Sequence, residues 1–230
     1  MARLVDLSPT VPHGFRGPPS TDLGVQLAVD VRASAGAYWQ SAHASLSCHT
    51  GCHVESARHV LEDGETIDAV DLDRVIGPAV VLDLTGVGER GLIDAEDVDR
   101  ALGALQAPPR PGDVVLLRTD WATRAIGTPE YFRRSPALTE AAARRIVALA
   151  PRCVGCDFFE EPAARDPGWA PEAFVVHRVI LGAGIPLVEG LVNLGELPAR
   201  CEFFAPFYKL GGIEAAPARA FARVDAGGVP

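Results

Sequence analysis

Between His49 and His59 the chain reads HTGCHVESARH, which sets three histidines and one carboxylate at the spacing H-x3-H-x-E-x3-H. With only 6 histidines in 230 residues, their crowding around Glu55 is the strongest chemical signal in the sequence. Imidazole nitrogen and carboxylate oxygen together suit a borderline divalent cation, zinc first and manganese second, since such sites accept both. The bland alternative is a polar loop with scattered histidines.

Geometry constrains the metal reading. On an extended segment His49, Gly51, His53 and Glu55 share one face, while Cys48, Thr50, Cys52 and Val54 take the other. A straight strand would hold the Cα atoms of His49 and His53 roughly 13 Å apart, too far for joint ligation at metal–nitrogen distances of about 2 Å. The segment must therefore bend, and Gly51, which tolerates positive φ, is the residue to bend it. A helix would bring His49 beside His53 but would turn Glu55 away. Nor is this the helical H-E-x-x-H pattern, because the acid follows the second histidine.

On these residues the chain resembles the cyclase family of metal-dependent hydrolases, which includes kynurenine formamidase-like and isatin hydrolase-like members. The family signature reads approximately H-x-G-T-H-x-D-x-P-x-H. The resemblance implies metal ligation by His49, His53 and Glu55, and proton transfer by His59 from outside the ligand set. Three positions depart from the signature: Cys52 replaces threonine, Glu55 aspartate and Ala57 proline. The longer acid still reaches a metal but alters bridging geometry or metal count, and the lost proline leaves the path to His59 less rigid. Leu116–Asp120 (LLRTD), Val154–Asp157 (VGCD) and the run from His177 to Leu194 also resemble family landmarks, so the likeness covers most of the chain. By that likeness His177 and Glu189 complete a second metal or support the first, giving one or two divalent cations per chain. The bland reading makes His177 a histidine of a buried helix and Glu189 a strand-end carboxylate.

The bulk properties narrow the class. A chain of 230 residues with 48% hydrophobic content is expected to form one α/β domain over residues 1–230, and the resemblance implies a mixed β-sheet with flanking helices, the swivelling β/β/α fold. A net charge of −9, without a Lys/Arg cluster, argues against nucleic acid and anionic membranes as partners. The apolar run Phe174–Val192 carries His177, Arg178, Glu189 and Pro186, and reads as helix, turn and strand rather than a membrane span. Arg3 and Asp6 leave no apolar signal-peptide core near the N-terminus, so a cytoplasmic location is expected. The odd set of 5 cysteines suits a reducing compartment. Cys153 and Cys156 form a C-x-x-C pair on a strand, where an offset of three points them to opposite faces and into the core. A mixed Cys/His structural site through Cys48 and Cys52 is the minority reading.

Strands are expected at Arg3–Leu7, Val25–Val31, Ala79–Leu84, Val114–Arg118, Cys153–Cys156 and Pro186–Val188. Helices are expected from an Asp94 cap to about Leu105, from a Thr139 cap through Ile146 and Leu149, and from about Glu172 to Leu181, ending at Gly182 or Gly184. Pro9–Pro19 and Ala107–Gly112 read as loops. Tyr38, Trp39, Phe158, Phe159 and Trp169 are placed either in a pocket wall or in the core. The run Asp157–Glu161 (DFFEE) reads either as a solvated acidic loop or as part of the substrate environment.

Together these features lead to a metal-dependent hydrolase that cleaves an amide or lactone bond in a small aromatic or polyketide-like molecule by metal-activated water. The alternatives are a cyclase or lyase, in which His59 removes a proton to drive intramolecular condensation, and a non-catalytic protein with a closed metal site. The partner is a small-molecule substrate, and the resemblance implies a homo-oligomer, a dimer or tetramer.

Overall fold

The computed structural model describes residues 1–17, 24–165, 168 and 170–224. Alternating apolar residues along β5 (Ile76–Asp83) and β7 (Val114–Arg118) feed two cores. Val80, Leu82, Val115 and Leu117 enter one, whereas Ala79, Val81, Val114 and Leu116 enter the other. A sheet apolar on both faces must be covered on both. The further strands are β1 (Arg3–Asp6), β4 (His53–Glu55), β9 (Val154–Cys156), β10 (Leu187–Glu189), β11 (Arg200–Phe204), β12 (Ala215–Pro217) and β13 (Phe221–Val224), while β6 (Leu92–Ile93) and β8 (Ala137–Leu138) form a separate short parallel pair. Among the described residues the main sheet has nine strands in the order β1-β13-β11-β5-β7-β9-β10-β4-β12. Within it β5, β7, β9 and β10 run parallel, and the other pairs are antiparallel. The architecture is the expected mixed α/β.

One face of the sheet carries the helices α1 (Ala95–Gly103), α2 (Trp121–Ala125), α3 (Glu130–Arg134), α4 (Glu140–Val147) and α5 (Val175–Gly182). The expected caps form. Asp94 closes a capping box with Asp97 at the start of α1, and the Thr139 hydroxyl accepts from Ala142 N at 3.2 Å. The helix expected from about Glu172 is interrupted: a 3₁₀ turn at Pro171–Ala173 ends at Phe174 (φ −79°, ψ 70°), and α5 starts afresh. The reason is Glu161, whose carboxylate accepts from Val176 N at 2.9 Å and so supplies the new N-terminus with its cap. Cys153 and Cys156 do enter opposite cores.

Two segments differ more from expectation. The strand expected at Val25–Val31 extends over Gln26–Ser34 (β2) and pairs with Ala37–Ser45 (β3) in a separate hairpin, with Tyr38 and Trp39 exposed on it rather than in a pocket or core. The period-two pattern of β3 is masked in sequence by alanines and serines, which give no apolar signal. The acidic run is not a solvated loop: Asp157, Glu160 and Glu161 are buried, as are Phe158 and Phe159. Trp169 lies outside the described residues. Among the described residues no helix is long and apolar enough to cross a membrane.

The two landmarks LLRTD and VGCD meet in space. Asp157 accepts from Thr119 N, Thr119 Oγ1 and Asp120 N, each at 2.7 Å, and its carbonyl accepts from Ala122 N at 2.7 Å. These bonds tie the ends of β7 and β9 to the start of α2. Asp157→Asn keeps the shape but turns one acceptor into a donor that faces another N–H. It is expected to cost about 1–3 kcal/mol, read from urea unfolding at pH 7.5; an unchanged midpoint contradicts this account.

Candidate metal centre

Strands β4 and β10 position the centre from one side and α5 from the other. His53 and Glu189 face each other in the antiparallel pair, as do Val54 with Val188 and Glu55 with Leu187. Val54 and Val188 point into the core away from the helices, which leaves His53, Glu55 and Glu189 on the face beneath α5. The chain reaches β4 through Gly51, at φ +66°, so the expected bend falls on the expected residue. His49 lies in the turn before it rather than on the strand. Gly190, at φ +68°, ends β10 so close to this bend that a Cβ would meet the Gly51 carbonyl oxygen at 2.1 Å.

Four imidazoles gather here. Ring centroids lie 4.5 Å apart for His49 and His59, 5.1 Å for His49 and His53, and 5.5 Å for His59 and His177. The structure brings together all six residues singled out in the sequence and adds Glu160. Three overlapping groups each keep their ligand atoms within 4.8 Å of one another: His49, Glu55 and His59; His53, Glu55 and Glu189; Glu160, His177 and Glu189. Glu55 joins the first two and Glu189 the last two. His59 therefore stands within ligating reach, with its Nε2 4.0 Å from Glu55 Oε1.

Supporting bonds fix the rings. His53 Nδ1 donates to the Gly51 carbonyl at 3.0 Å, which turns Nε2 towards Glu55 Oε1 at 3.2 Å and Glu189 Oε2 at 3.6 Å. His177 Nδ1 lies 3.3 Å from Glu161 Oε2, the same oxygen that caps α5, so helix start and ring orientation are set by one carboxylate. The second nitrogen, His177 Nε2, faces Glu160 Oε1 at 3.3 Å, Glu189 Oε1 at 3.3 Å and Glu55 Oε2 at 3.5 Å. One ring nitrogen cannot satisfy three carboxylates. Among the described residues, Glu55 Oε2, both Glu160 oxygens, Glu161 Oε1 and Glu189 Oε1 are buried without a hydrogen-bond partner. Buried anionic oxygens of this kind are costly unless paired with charge or coordinated to metal, and the donor set of imidazole and carboxylate fits a divalent cation.

Without such a cation, protons carry the compensating charge. Burial opposes charging of His49, but Glu214, 3.0 Å from its Nε2, and Glu55, 2.6 Å from its Nδ1, outweigh it and raise the pKa to about 10. Burial likewise opposes a charged His177, yet Glu160, Glu161 and Glu189 hold its pKa well above the ordinary value. Glu160 is pushed well above the carboxylate range by burial and by Glu189. Burial also disfavours the Glu55 anion, but the His59 and His49 charges and His53 hold its pKa well below that range.

Sequence reasoning left Glu160 and Glu161 undecided and missed Glu214. The first two stand next to the VGCD landmark, whereas Glu214 lies 165 residues from His49 in the chain and has no motif around it.

A cavity opens beside the centre, lined by Phe15, Ile126, Tyr131 and Phe132 as well as His49, His53 and Glu189. A buried donor cluster of imidazoles and carboxylates beside an aromatic-lined cleft has the residue types of a metal-dependent enzyme site. The chain belongs to the cyclase family: residues 5–161 match the family model described as "Putative cyclase". A kynurenine formamidase of Delftia acidovorans is 30% identical over 179 residues, covering 78% of each chain, and one of Salinibacter ruber is 29% identical over 184 residues, covering 77% of each. Among solved structures, isatin hydrolase A of Labrenzia aggregata superposes with a TM-score of 0.80 at 24% identity, over 97% of this chain and 94% of the other. Isatin hydrolase A of Ralstonia solanacearum gives 0.78 at 24% identity, over 97% and 92%.

Because His49, His177 and Glu160 hold protons when no cation is present, uptake is expected to release protons, and the apparent affinity to fall as pH drops. Calorimetric titration of zinc in two buffers of unequal ionisation enthalpy checks this. Equal apparent enthalpies in both contradict it.

Proposed function

We propose that the chain is a metal-dependent hydrolase of amide bonds, acting on a small aromatic substrate. The observation that carries this reading is the convergence of His49, His53, Glu55, His177 and Glu189, with Glu160, around unpaired buried carboxylate oxygens at the edge of an aromatic-walled cavity. These residues would hold one or two divalent cations, zinc first and manganese second. A bound cation would lower the pKa of a coordinated water towards about 7 and polarise the substrate carbonyl. The names of the relatives, formamidase and isatin hydrolase, support an amide rather than an ester as substrate.

The protein's own groups have separable tasks. His53 and His177 present Nε2 because Gly51 and Glu161 hold their Nδ1 atoms. Phe15, Ile126 and Phe132 border the centre and would form the apolar wall beside a bound substrate. His59 is the proton carrier: burial lowers its pKa, Glu55 partly restores it, and His49 and His177 depress it further, so near neutrality the ring is ready to accept a proton. It then passes that proton to the departing nitrogen. The whole chain acts as one domain, in the cytoplasm.

Elemental analysis combined with a screen of N-formylkynurenine, isatin and simple lactones tests the reading. Hydrolysis incorporates oxygen from labelled water and intramolecular condensation does not, so product mass separates the hydrolase from the cyclase. His53→Ala is expected to lose bound metal. By contrast His59→Ala should keep metal and fold yet lose about 10²- to 10⁴-fold in kcat. Metal loss in the second variant would make His59 a ligand, and unchanged turnover would remove the proton-carrying role.

A homo-oligomer completes the proposal, and the β2–β3 hairpin supports it. All of its residues except Ser41 are exposed, and Leu27, Val29, Val31 and Tyr38 lie on one face. A lone two-stranded hairpin with such a face is marginal in water, and burial against a second copy stabilises it. Val29→Asp combined with Val31→Asp is expected to shift the mass measured by light scattering towards a single chain. An unchanged oligomer would place the contact elsewhere.

A further inference from the structure

Tyr131, a residue lining the cleft beside the centre, carries a hydroxyl that has no hydrogen-bond partner among the described residues. Tyr131 lies on α3, is 5% exposed, and shares the cavity with His49, His53 and Glu189. Its position is fixed: the backbone carbonyl accepts from Trp121 Nε1 at 2.9 Å, and the Phe132 ring packs edge-on with centroids 4.9 Å apart. Among the described residues, however, its buried hydroxyl makes no hydrogen bond. Phenylalanine would fill the same space without leaving a donor unpaired in the interior. A polar atom held there at a cost to stability calls for a partner that arrives later.

The chemistry of the cavity says which partner. Amide hydrolysis builds negative charge on the acyl oxygen, and such an oxygen needs a donor. Glu189 presents carboxylate oxygens, and His49 and His53 belong to the candidate ligand set. Arg16 is exposed at the rim. Tyr131 is the buried side-chain donor that remains. Burial, reinforced by Glu189 and Glu160, pushes its phenol well above the usual range, so it stays protonated and able to donate.

We infer that the Tyr131 hydroxyl donates a hydrogen bond to the acyl oxygen of the amide substrate, which makes Tyr131 a catalytic residue. The inference rests on the amide-hydrolase reading above. It requires no proton transfer to or from Tyr131: the bond strengthens as the carbonyl becomes tetrahedral and relaxes when the C–N bond breaks.

The test is Tyr131→Phe, compared with the wild type in three measurements. Metal content is expected to be unchanged. Stability in urea without added metal is expected to be equal or higher, because an unpaired polar group is removed. On whichever of N-formylkynurenine or isatin the wild type hydrolyses, kcat is expected to fall about 10²- to 10³-fold with KM altered little. A variant less stable than the wild type would show that the hydroxyl has a structural partner, and would overturn the inference without any activity measurement. Turnover within about twofold of wild type would overturn it as well. Wild-type protein that hydrolyses neither amide would instead overturn the function proposed above, while the stability comparison still decides whether the hydroxyl is unpaired.

Discussion

Four carboxylates, those of Glu55, Glu160, Glu161 and Glu189, are buried within one small volume, and the site's architecture follows from the need to neutralise them. Like charges at these separations repel strongly in a medium of low polarisability. The protein meets them with four imidazoles, with the N–H groups at the start of α5, and with protons on Glu160 and His177. This compensation is incomplete, since among the described residues five carboxylate oxygens of the cluster still lack a hydrogen-bond partner. A fold does not retain that cost for stability alone. The arrangement is poised for a cation, and the residues positioned to hold one are those the folded chain most needs to pair.

The position of α5 shows how this requirement shapes the scaffold. Glu161 is buried beside the helix N-terminus, where backbone N–H groups stabilise a carboxylate, and through the same oxygen it aligns His177. The helix therefore begins where the site needs it. Phe174 and Phe159 flank the His177 ring, with centroids 5.5 and 6.3 Å away, and exclude water from it. On the other side of the centre the sheet register does the equivalent work, because a one-residue slip of β4 would turn His53 and Glu55 into the opposite core, and a slip of β10 would do the same to Glu189.

The parts legible in the sequence are those with a strong local signal. The bend at Gly51, the caps at Asp94 and Thr139, and the strand Val114–Arg118 fall where turn chemistry and apolar alternation put them. The helix ending at Gly182 and the strand carrying Glu189 likewise place that acid near His177. What stayed hidden depends on distant partners. The 3₁₀ break before α5 is decided by Glu161, and the strands β11, β12 and β13 lie in a segment whose pairing with β1, β4 and β5 no local pattern announces. Glu214 is the clearest case: its role comes solely from β12 lying beside β4, where its carbonyl also accepts from Ser56 N at 2.9 Å.

The departures of the motif from its family signature find physical compensation. Cys52 is buried against the core opposite the histidines, so a residue there meets apolar packing rather than the candidate metal centre. Ala57 opens the 3₁₀ turn Ala57–His59, in which His59 N donates to the Ser56 carbonyl at 3.0 Å, and Ser56 Oγ bonds the Glu214 carbonyl at 2.9 Å. Gly64 packs onto this turn so closely that a Cβ would lie 2.5 Å from Ala57 backbone atoms. Packing and hydrogen bonds thus hold the segment where a proline ring would have done so through φ alone. Glu55 gains most from its extra methylene. One oxygen approaches His49 at 2.6 Å, His53 at 3.2 Å and His59 at 4.0 Å, while the other faces His177 at 3.5 Å. A single side chain spans both halves of the cluster, and the longer acid makes Glu55 the link through which the motif histidines and the helix histidine share one charge.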